Sequence, residues 1–220
     1  MGEDRFWDRL AERYARQPIA DEAAYQRKLK ITRDYLRSDM DVLEFGCGTG
    51  GTAILQAPYV RHITAIDFSQ AMLDIARAKA AAAGTGNVTF ERADITSFAA
   101  PEGSFDVILG LSILHLLADK DAVIARVFRL LKPGGVFISS TTCVGDTMGA
   151  FKLIAPLGKA LGLLPQLDVM TAELVASLTG AGFAIEQQWQ PGRGKAVFIV
   201  ARAGSPLPEG RVTSSERAMS

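Results

Sequence analysis

Cysteine and histidine are scarce in this sequence. Its 220 residues include two cysteines, Cys47 and Cys143, and two histidines, His62 and His115, without CxxC or Cys/His ligand spacing. Zinc sites and disulfide frameworks need such spacings, so we expect neither a metal centre nor a disulfide scaffold. The scarcity of cysteine favours a reduced, cytoplasmic setting.

Excess charge and long apolar runs are also missing. Lysine plus arginine and aspartate plus glutamate both number 24, and no basic block suggests a nucleic-acid partner. The N-terminus carries Glu3 and Asp4 and lacks the apolar core of a signal peptide. No apolar stretch reaches the roughly 18 to 20 residues that span a bilayer. With 48% apolar residues, we expect one soluble domain with a single core.

Glycine, by contrast, is concentrated in one short stretch. Residues 42–51 read VLEFGCGTGG, so a buried strand runs into four glycines within six residues. Glycine lacks a Cβ atom, so it tolerates positive φ and lets a ligand approach the main chain. A simple loop does not need so many glycines. The pattern predicts a cofactor-binding turn at the carboxyl end of a strand.

Strands and helices alternate through the middle of the chain. Two amphipathic helices come first, over 6–15 and from about residue 21. Strands are then predicted to end near Phe45, Asp67, Asp94, Gly110 and Ser139, with a turn over 132–135 before the fifth strand. Ser69 and Asp119 are predicted N-caps of helices over 70–83 and 120–131. This alternation indicates a doubly wound α/β domain with a parallel sheet.

The pattern changes after residue 140. Residues 148–164 are apolar on most sides and indicate an insertion. Strands over 183–189 and 195–201 are joined by a turn too short for a helical crossover, so we expect an antiparallel hairpin. We predict an N-terminal helical cap at 1–38 and a cofactor-binding domain at 39–202, with an apolar cap insertion at 141–170. The tail at 203–220 has the composition of a disordered segment.

Two acids follow consecutive predicted strands. In an open α/β sheet the ligand lies beyond the carboxyl ends of the strands. Asp67 lies about 20 residues after the first glycine, where a carboxylate accepts from the hydroxyls of a ribose. Asp94, one strand farther out, could accept from an exocyclic adenine amine. The two acids therefore favour a cofactor that contains adenosine.

Two cofactors fit the glycine turn. Gly46, Gly48 and Gly51 satisfy GxGxxG, so an NAD(P)-dependent oxidoreductase is an alternative. Glu44, just before the first glycine, argues against it because its carboxylate would repel a pyrophosphate. The same carboxylate would suit the ammonium and sulfonium end of S-adenosylmethionine. We therefore favour S-adenosylmethionine.

Several motifs resemble, in order and spacing, those of class I S-adenosylmethionine-dependent methyltransferases. Residues 42–50 resemble their motif I, 63–72 motif II, 90–95 the adenine-contacting segment, and 105–117 with 130–138 motif IV and the next strand. Residues 6–15 are similar to the WDxxAxxYA opening of small-molecule methyltransferases related to ubiquinone and menaquinone biosynthesis enzymes. The resemblance covers about residues 40–140. It implies a Rossmann-like seven-stranded sheet and methyl transfer from S-adenosylmethionine, with S-adenosylhomocysteine as the product.

The resemblance also implies roles for individual residues. Glu44, Gly46 and Gly48 would flank the methionine portion, in a turn that includes Cys47 and Gly50. Asp67 would bind the ribose hydroxyls and Leu111 would lie near the sulfonium. The adenosine would be contacted by a further group, which comprises Phe68, Met72, Asp94 and Ile95.

The sequence says less about the molecule that accepts the methyl group. Gly110-Leu111-Ser112-Ile113 departs from the Asp/Asn-Pro-Pro-aromatic element of enzymes that methylate nucleic-acid bases or glutamine, and no carboxylate cluster suggests a magnesium-dependent catechol enzyme. These departures favour a small-molecule acceptor. A catalytically silent S-adenosylmethionine-binding protein is an alternative, because binding motifs do not prove turnover.

Residues near the acceptor have two interpretations each. His115 follows motif IV and could take a proton from the acceptor, or it could be a buried structural histidine. Trp7, Tyr14, Ser112 and Phe151 are candidate acceptor-lining residues, and an apolar roof would suit a hydrophobic or lipid-like acceptor. Trp7 and Tyr14 could equally pack a helix on the core. Residues 148–164 could also contact a membrane surface peripherally.

Overall fold

The structure is a computed structural model that describes residues 3–143, 171–192 and 195–204. Its helices are α1 (Glu3–Arg16), α2 (Glu22–Arg33), α3 (Gly51–Gln56), α4 (Gln70–Ala82), α5 (Lys120–Leu130) and α6 (Thr171–Gly180). Its strands are β1 (Asp41–Phe45), β2 (His62–Asp67), β3 (Val88–Arg92), β4 (Phe105–Leu111), β5 (Leu131–Thr141), β6 (Phe183–Trp189) and β7 (Val197–Ala203). No helix in these ranges is long and apolar enough to span a bilayer.

The seven strands form one sheet in the order β3-β2-β1-β4-β5-β7-β6. The first five are parallel, while β7 runs antiparallel to both β5 and β6. The predicted doubly wound, seven-stranded sheet with a C-terminal antiparallel hairpin is therefore confirmed. Strand order reverses between β1 and β4, so the carboxyl ends of these two strands frame the position where such sheets bind ligands.

Helices cover both faces of the sheet. On one face of the sheet, Phe45, Ile108 and Phe137 pack against α5 and α6. On the other face, Val42, Leu109 and Ile138 pack against α3 and α4. Strands buried on both faces read as near-continuous apolar runs, as β4 does. The buried Glu44 in β1 is therefore an exception among its apolar neighbours.

Two helix starts agree with the sequence prediction. The Ser69 hydroxyl accepts from the backbone N–H of Met72 at 3.2 Å, and the Asp119 carboxylate accepts from that of Ala122 at 2.9 Å. Both side chains satisfy a donor that the first helical turn leaves without an intrahelical partner. They fix where α4 and α5 begin at the carboxyl edge of the sheet.

The sequence predicts a turn over residues 132–135 that precedes the fifth strand, and this boundary is wrong. The structure includes these residues in β5, and the β4–β5 register shifts between Phe105 and Val107. Gly134 has φ +75°, and Pro133 has no N–H for a ladder hydrogen bond, so the extra residues form an irregular stretch rather than regular pairing. The strand thus begins earlier than its β-branched residues suggest.

Other predicted boundaries differ or lie outside the described residues. The second helix ends at Arg33, and β7 extends to Ala203, into the predicted tail. Thr141, the first residue of the predicted insertion, is the last residue of β5. Residues 144–170 and 205–220 lie outside the described residues, and so does Phe151. The division into cap, domain, insertion and tail stays a prediction.

Candidate active site

The glycine turn follows β1 directly. Gly46, Gly48 and Gly50 have φ of +65°, +52° and +71°, a region that L side chains rarely adopt. A Cβ atom at Gly46 would lie 2.7 Å from Cγ1 of Ile113, whereas one at Gly50 would lie 2.8 Å from Ala76. At Gly48 the nearest atom would be Cε1 of Tyr14, 3.8 Å away. Gly46 and Gly50 are therefore required by packing as well as by φ, while Gly48 leaves room beside its backbone.

Asp67 closes the turn from the end of β2. Its Oδ2 accepts from the backbone N–H of Gly48 at 2.8 Å, and its Oδ1 accepts from that of Ser69 at 2.9 Å. Burial raises the pKa of Asp67, and these backbone hydrogen bonds act in the opposite direction. A carboxylate has about four acceptor positions, so each oxygen can still accept a ligand hydroxyl. This arrangement fits the predicted ribose contact.

Glu44 lies in β1 with 3% of its surface exposed. Burial, with the charge of Asp67 adding to it, raises its pKa to about 8. Its Oε2 has no hydrogen-bond partner among the residues that the structure describes. An unpartnered buried carboxyl oxygen is costly and suits a cationic ligand group. The ammonium of S-adenosylmethionine is such a group, so the residues present fit this cofactor.

The predicted adenosine contacts fall into two environments. Asp94 is exposed, and its Oδ1 accepts from both the backbone N–H and the hydroxyl of Thr96 at 2.8 Å. Phe68 is partly buried. Met72 and Ile95 are 3% and 5% exposed, and Ile95 packs in the core cluster that contains Phe45. Asp94 and Phe68 are accessible to a ligand, whereas Met72 and Ile95 are buried, so a contact of these two with the adenine stays a prediction.

Cys47 lies inside the turn with a buried side chain. Burial raises the pKa of its thiol, and the nearby charges of Glu44 and Asp67 act in the same direction. A thiolate is the reactive form of cysteine. The raised pKa therefore argues against Cys47 as a nucleophile, and its place in the cofactor-binding turn stays a prediction.

The residues after β4 form the other side of the site. Ser112 is exposed and has φ +60°, and its N–H donates to the carbonyl of Ser140 at 2.7 Å. Leu111 and His115 are partly buried. Burial lowers the pKa of His115, and its Nδ1 has no hydrogen-bond partner within the described ranges. The imidazole is neutral near pH 7 and has unused hydrogen-bonding capacity.

Helices α1 and α2 contribute residues that sequence reasoning missed. Asp8 on α1 accepts from the Ser69 hydroxyl at 2.6 Å and from the backbone N–H of Ala71 at 3.2 Å. Tyr25 on α2 contacts the Thr52 hydroxyl at 3.3 Å, and the charge of Glu44 contributes to raising the pKa of Tyr25. Asp8 is the aspartate of the WDxxAxxYA stretch, so its motif position was a signal that could have found it.

The candidate acceptor-lining residues are only partly brought to the site. Tyr14 lies next to Gly48 and is 48% exposed, while Trp7 is partly buried on α1. Among the described residues, no group of three or more histidine, cysteine, aspartate and glutamate side chains is arranged to hold a metal ion. Glu44, the glycine turn and Asp67 form one continuous cradle at the carboxyl edge of the sheet.

Comparisons with known proteins agree with this geometry. A family model described as a methyltransferase domain matches residues 42–135. A relative from Mycolicibacterium smegmatis, described as a probable S-adenosylmethionine-dependent methyltransferase, is 27% identical over 200 residues, which cover 88% of this chain and 73% of the relative. The demethylmenaquinone methyltransferase of Leptospira interrogans is 35% identical over 105 residues, which cover 46% of this chain and 42% of the relative. This second match spans less than half of that relative's length.

A solved structure also shares the fold. The crystal structure of the YcgJ protein of Bacillus subtilis superimposes with a TM-score of 0.69 at 18% identity, covering 82% of this chain and 99% of that one. At this identity the likeness concerns the fold. The matched sequence region begins in β1, includes the glycine turn and Asp67, and ends in β5, so it contains the whole cofactor cradle.

Proposed function

The chain belongs to the class I S-adenosylmethionine-dependent methyltransferases, and we propose that it methylates a small, apolar acceptor. S-adenosylmethionine, when bound, supplies an electrophilic methyl group on its sulfonium. The remaining task of the protein is to hold the acceptor in line with that group and to exclude water. The residues that face the acceptor therefore determine specificity.

The apolar character of the segment after β4 carries this proposal. Ile113 packs against Gly46, Leu111 is partly buried at the end of β4, and Leu116 is 44% exposed. Binding sites for small molecules are lined mainly by apolar side chains with a few polar groups. An exposed leucine on this segment supports an acceptor with an apolar part. One relative is named for demethylmenaquinone, a quinone, which is compatible with this class.

A series of acceptors with one nucleophile and a growing tail tests the proposal. Phenol, 4-butylphenol and 4-octylphenol, with the matching anilines and thiophenols, separate the nucleophile from the tail. We expect kcat/KM for S-adenosylhomocysteine formation to rise along each series that reacts, by up to about 0.8 kcal/mol per buried methylene. A flat or falling kcat/KM along every reacting series would contradict the apolar acceptor.

A matched pair of leucine variants locates the tail. Leu116→Ser should reduce the gain from the longer tail while leaving S-adenosylhomocysteine affinity unchanged. Leu55 on α3 is 42% exposed and therefore serves as the control, since Leu55→Ser makes the same chemical change away from the segment after β4. An equal loss in both variants would place the tail elsewhere.

We further propose that His115 accepts the acceptor's proton where the nucleophile is a hydroxyl. Its neutral imidazole supports this role, as does its Nδ1, which has no hydrogen-bond partner in the part of the chain that the structure describes. His115→Gln should lower kcat roughly hundredfold and leave S-adenosylhomocysteine affinity unchanged. His62→Gln is the control, because His62 bonds Thr89 at 3.0 Å on the strands β2 and β3. A fall in thermal stability with unchanged kcat would instead assign His115 to the core.

A further inference from the structure

A chain of hydrogen bonds connects α1 to the carboxylate that is predicted to bind the ribose. The Asp8 Oδ1 atom accepts from the Ser69 hydroxyl at 2.6 Å and from the backbone N–H of Ala71 at 3.2 Å. The backbone N–H of Ser69 donates to Asp67 Oδ1 at 2.9 Å, and Asp67 Oδ2 accepts from the N–H of Gly48 at 2.8 Å. Asp8 is therefore linked to the glycine turn through Ser69 and Asp67.

The same helix returns to the glycine turn at Tyr14. A Cβ atom on Gly48 would lie 3.8 Å from Tyr14 Cε1, so these two residues are neighbours. Asp8, Ala11 and Tyr14 are spaced three residues apart, so they share one side of α1 over about 9 Å. Ala11 is buried, which shows that this side faces the domain. Helix α1 is therefore fixed at both ends of the hydrogen-bond chain.

Asp8 accepts its hydrogen bonds as a carboxylate. The bond from Ser69, together with the bond from Ala71, holds the pKa of Asp8 below its ordinary value. Burial raises the pKa of Asp67, and the charge of Asp8 adds to this effect. The charge of Asp8 therefore does not favour an ionised Asp67. Any benefit of Asp8 to Asp67 has to pass through the hydrogen bonds of Ser69.

Ser69 is placed to transmit the position of Asp8. It is fully buried, and its hydroxyl also accepts from the backbone N–H of Met72 at 3.2 Å. With its donor used by Asp8 and an acceptor position used by Met72, the hydroxyl is fixed in one orientation. The N–H of the same serine holds Asp67 Oδ1. A contact between one carboxylate and two ribose hydroxyls depends on such a fixed orientation.

We propose that Asp8 is a positioning residue that orients Asp67 for the ribose hydroxyls of S-adenosylmethionine. Asp8 acts through Ser69, without touching the cofactor. The proposal rests on the assignment of Asp67 to the ribose, and it does not depend on the identity of the acceptor.

Two ligands that differ only in the ribose hydroxyls test the proposal: S-adenosylhomocysteine and its 2′,3′-dideoxy analogue. In calorimetric displacement titrations, Asp8→Ala should weaken binding of S-adenosylhomocysteine about tenfold and binding of the analogue about twofold or less, because Asp67 holds only the first. Glu12→Ala is the matched control and should leave both affinities unchanged. Glu12 is exposed on the same helix and pairs with Arg16.

Two further variants separate the hydrogen bonds of Asp8 from its charge and from the folding of α1. Asp8→Asn keeps an oxygen that accepts from both Ser69 and Ala71, so it should restore most of the affinity. Ser69→Ala loses the bond to Asp8 but keeps the N–H that Asp67 accepts, and its loss should also depend on the ribose hydroxyls. Because both Ala substitutions remove the same contact, the double variant should lose less than the product of the two separate losses. Ser69→Ala carries the test where Asp8→Ala does not fold.

Asp67→Ala distinguishes failure of the proposal from failure of the ribose assignment. Suppose that Asp67→Ala weakens S-adenosylhomocysteine and spares the analogue, whereas Asp8→Ala and Ser69→Ala weaken both ligands equally or neither. Asp8 then only packs α1 on the domain, and the proposal is overturned while the ribose assignment stands. If Asp67→Ala also fails to distinguish the two ligands, the ribose assignment is wrong and the proposal is overturned with it.

Discussion

The two sides of the carboxyl edge of the sheet satisfy their polar groups in different ways. On the β1–β2 side, Asp67 accepts two backbone N–H groups, and the fully buried Ser69 bonds both Asp8 and Met72. On the β4–β5 side, the buried hydroxyls of Ser139 and Thr141 have no hydrogen-bond partner among the described residues. On the first side, main-chain N–H groups and Asp8 satisfy Asp67 and Ser69, and Glu44 Oε2 is the exception, with no partner among the described residues. The second keeps unused hydrogen-bonding capacity.

This difference agrees with the proposal that the methyl donor binds on the β1–β2 side and the acceptor on the β4–β5 side. A cofactor that never changes can be held by backbone N–H groups and glycine geometry, which depend little on neighbouring side chains. An acceptor is recognised by side chains from several segments, so its site can vary without disturbing the turn. The five predictions below test how sharply the two sides differ.

Removal of the Asp67 carboxylate should have a large effect on cofactor affinity. Asp67→Ala loses charge-assisted hydrogen bonds worth about 1.5 to 3 kcal/mol each, so S-adenosylhomocysteine affinity should fall roughly tenfold to a hundredfold. It also leaves the N–H groups of Gly48 and Ser69 without their acceptor. Calorimetric titration measures the loss. Asp74→Ala is the control, because Asp74 is exposed on α4 and pairs with Arg77. Unchanged affinity in Asp67→Ala would remove the ribose assignment.

The same contrast explains how much of the site could be predicted from the sequence. Glu44, Gly48 and Asp67 lie close to strand ends, and their roles depend on local backbone geometry, so a motif specifies them. Lys28 and Ser140 are 112 positions apart and meet only after α2 packs on the sheet. No local sequence pattern predicts such a contact, so the residues on the acceptor side could not be identified from the sequence.

Within the fold, the regular elements were predictable and the irregular ones were not. The parallel and antiparallel directions of the strands followed from the alternation of strands and helices and from the short C-terminal turn, because parallel strands need crossovers and antiparallel strands do not. The early start of β5 was missed because Pro133 and Gly134 indicate a turn locally, whereas Leu131 before them already pairs with Phe105 of β4 and regular pairing resumes at Val136.

A pair of glycine variants tests whether packing holds the turn on the β1–β2 side. Gly50 and Gly84 have similar φ, +71° and +65°, but a Cβ atom would meet Ala76 and Phe90 at 2.8 Å in the first case and nothing within 4 Å in the second. Both Ala variants incur the cost of a left-handed residue, about 1 to 2 kcal/mol. Gly50→Ala should lose about 1 to 3 kcal/mol more through overpacking. Urea unfolding measures both, and equal losses would show that the turn is loosely packed.

The pH dependence of binding tests Glu44, whose Oε2 has no hydrogen-bond partner among the described residues. Its pKa of about 8 means that the carboxyl is neutral in the free protein near pH 7. A bound ammonium favours the carboxylate, so affinity for S-adenosylhomocysteine should rise with pH by up to about tenfold per unit and level off above the pKa. Glu44→Gln should lose this dependence, and any remainder belongs to Asp67, whose pKa is also raised. Identical slopes in the two proteins would exclude Glu44.

The free energy of unfolding should fall as the pH rises, and the carboxyl group of Glu44 is again the cause. The folded-state pKa of Glu44 lies above its ordinary value of 4.5, so the folded protein holds a proton that the unfolded chain releases. The stabilisation is fully present below pH 4.5 and is lost as the pH rises to about 8. Urea unfolding across this range should show a decline that Glu44→Gln lacks.

Two serine variants should give the smallest effect and the most direct comparison of the two sides. Ser69 and Ser139 are both fully buried, but only Ser69 has hydrogen-bond partners in the described residues. Ser69→Ala removes a helix cap and the Asp8 contact, so unfolding free energy should fall by about 1 kcal/mol. Ser139→Ala removes a hydroxyl that was desolvated without compensation, so stability should stay within about 0.5 kcal/mol or rise. A loss in Ser139→Ala as large as that in Ser69→Ala would mean that the Ser139 hydroxyl is bonded in the folded protein, and the contrast between the two sides would then disappear at β5.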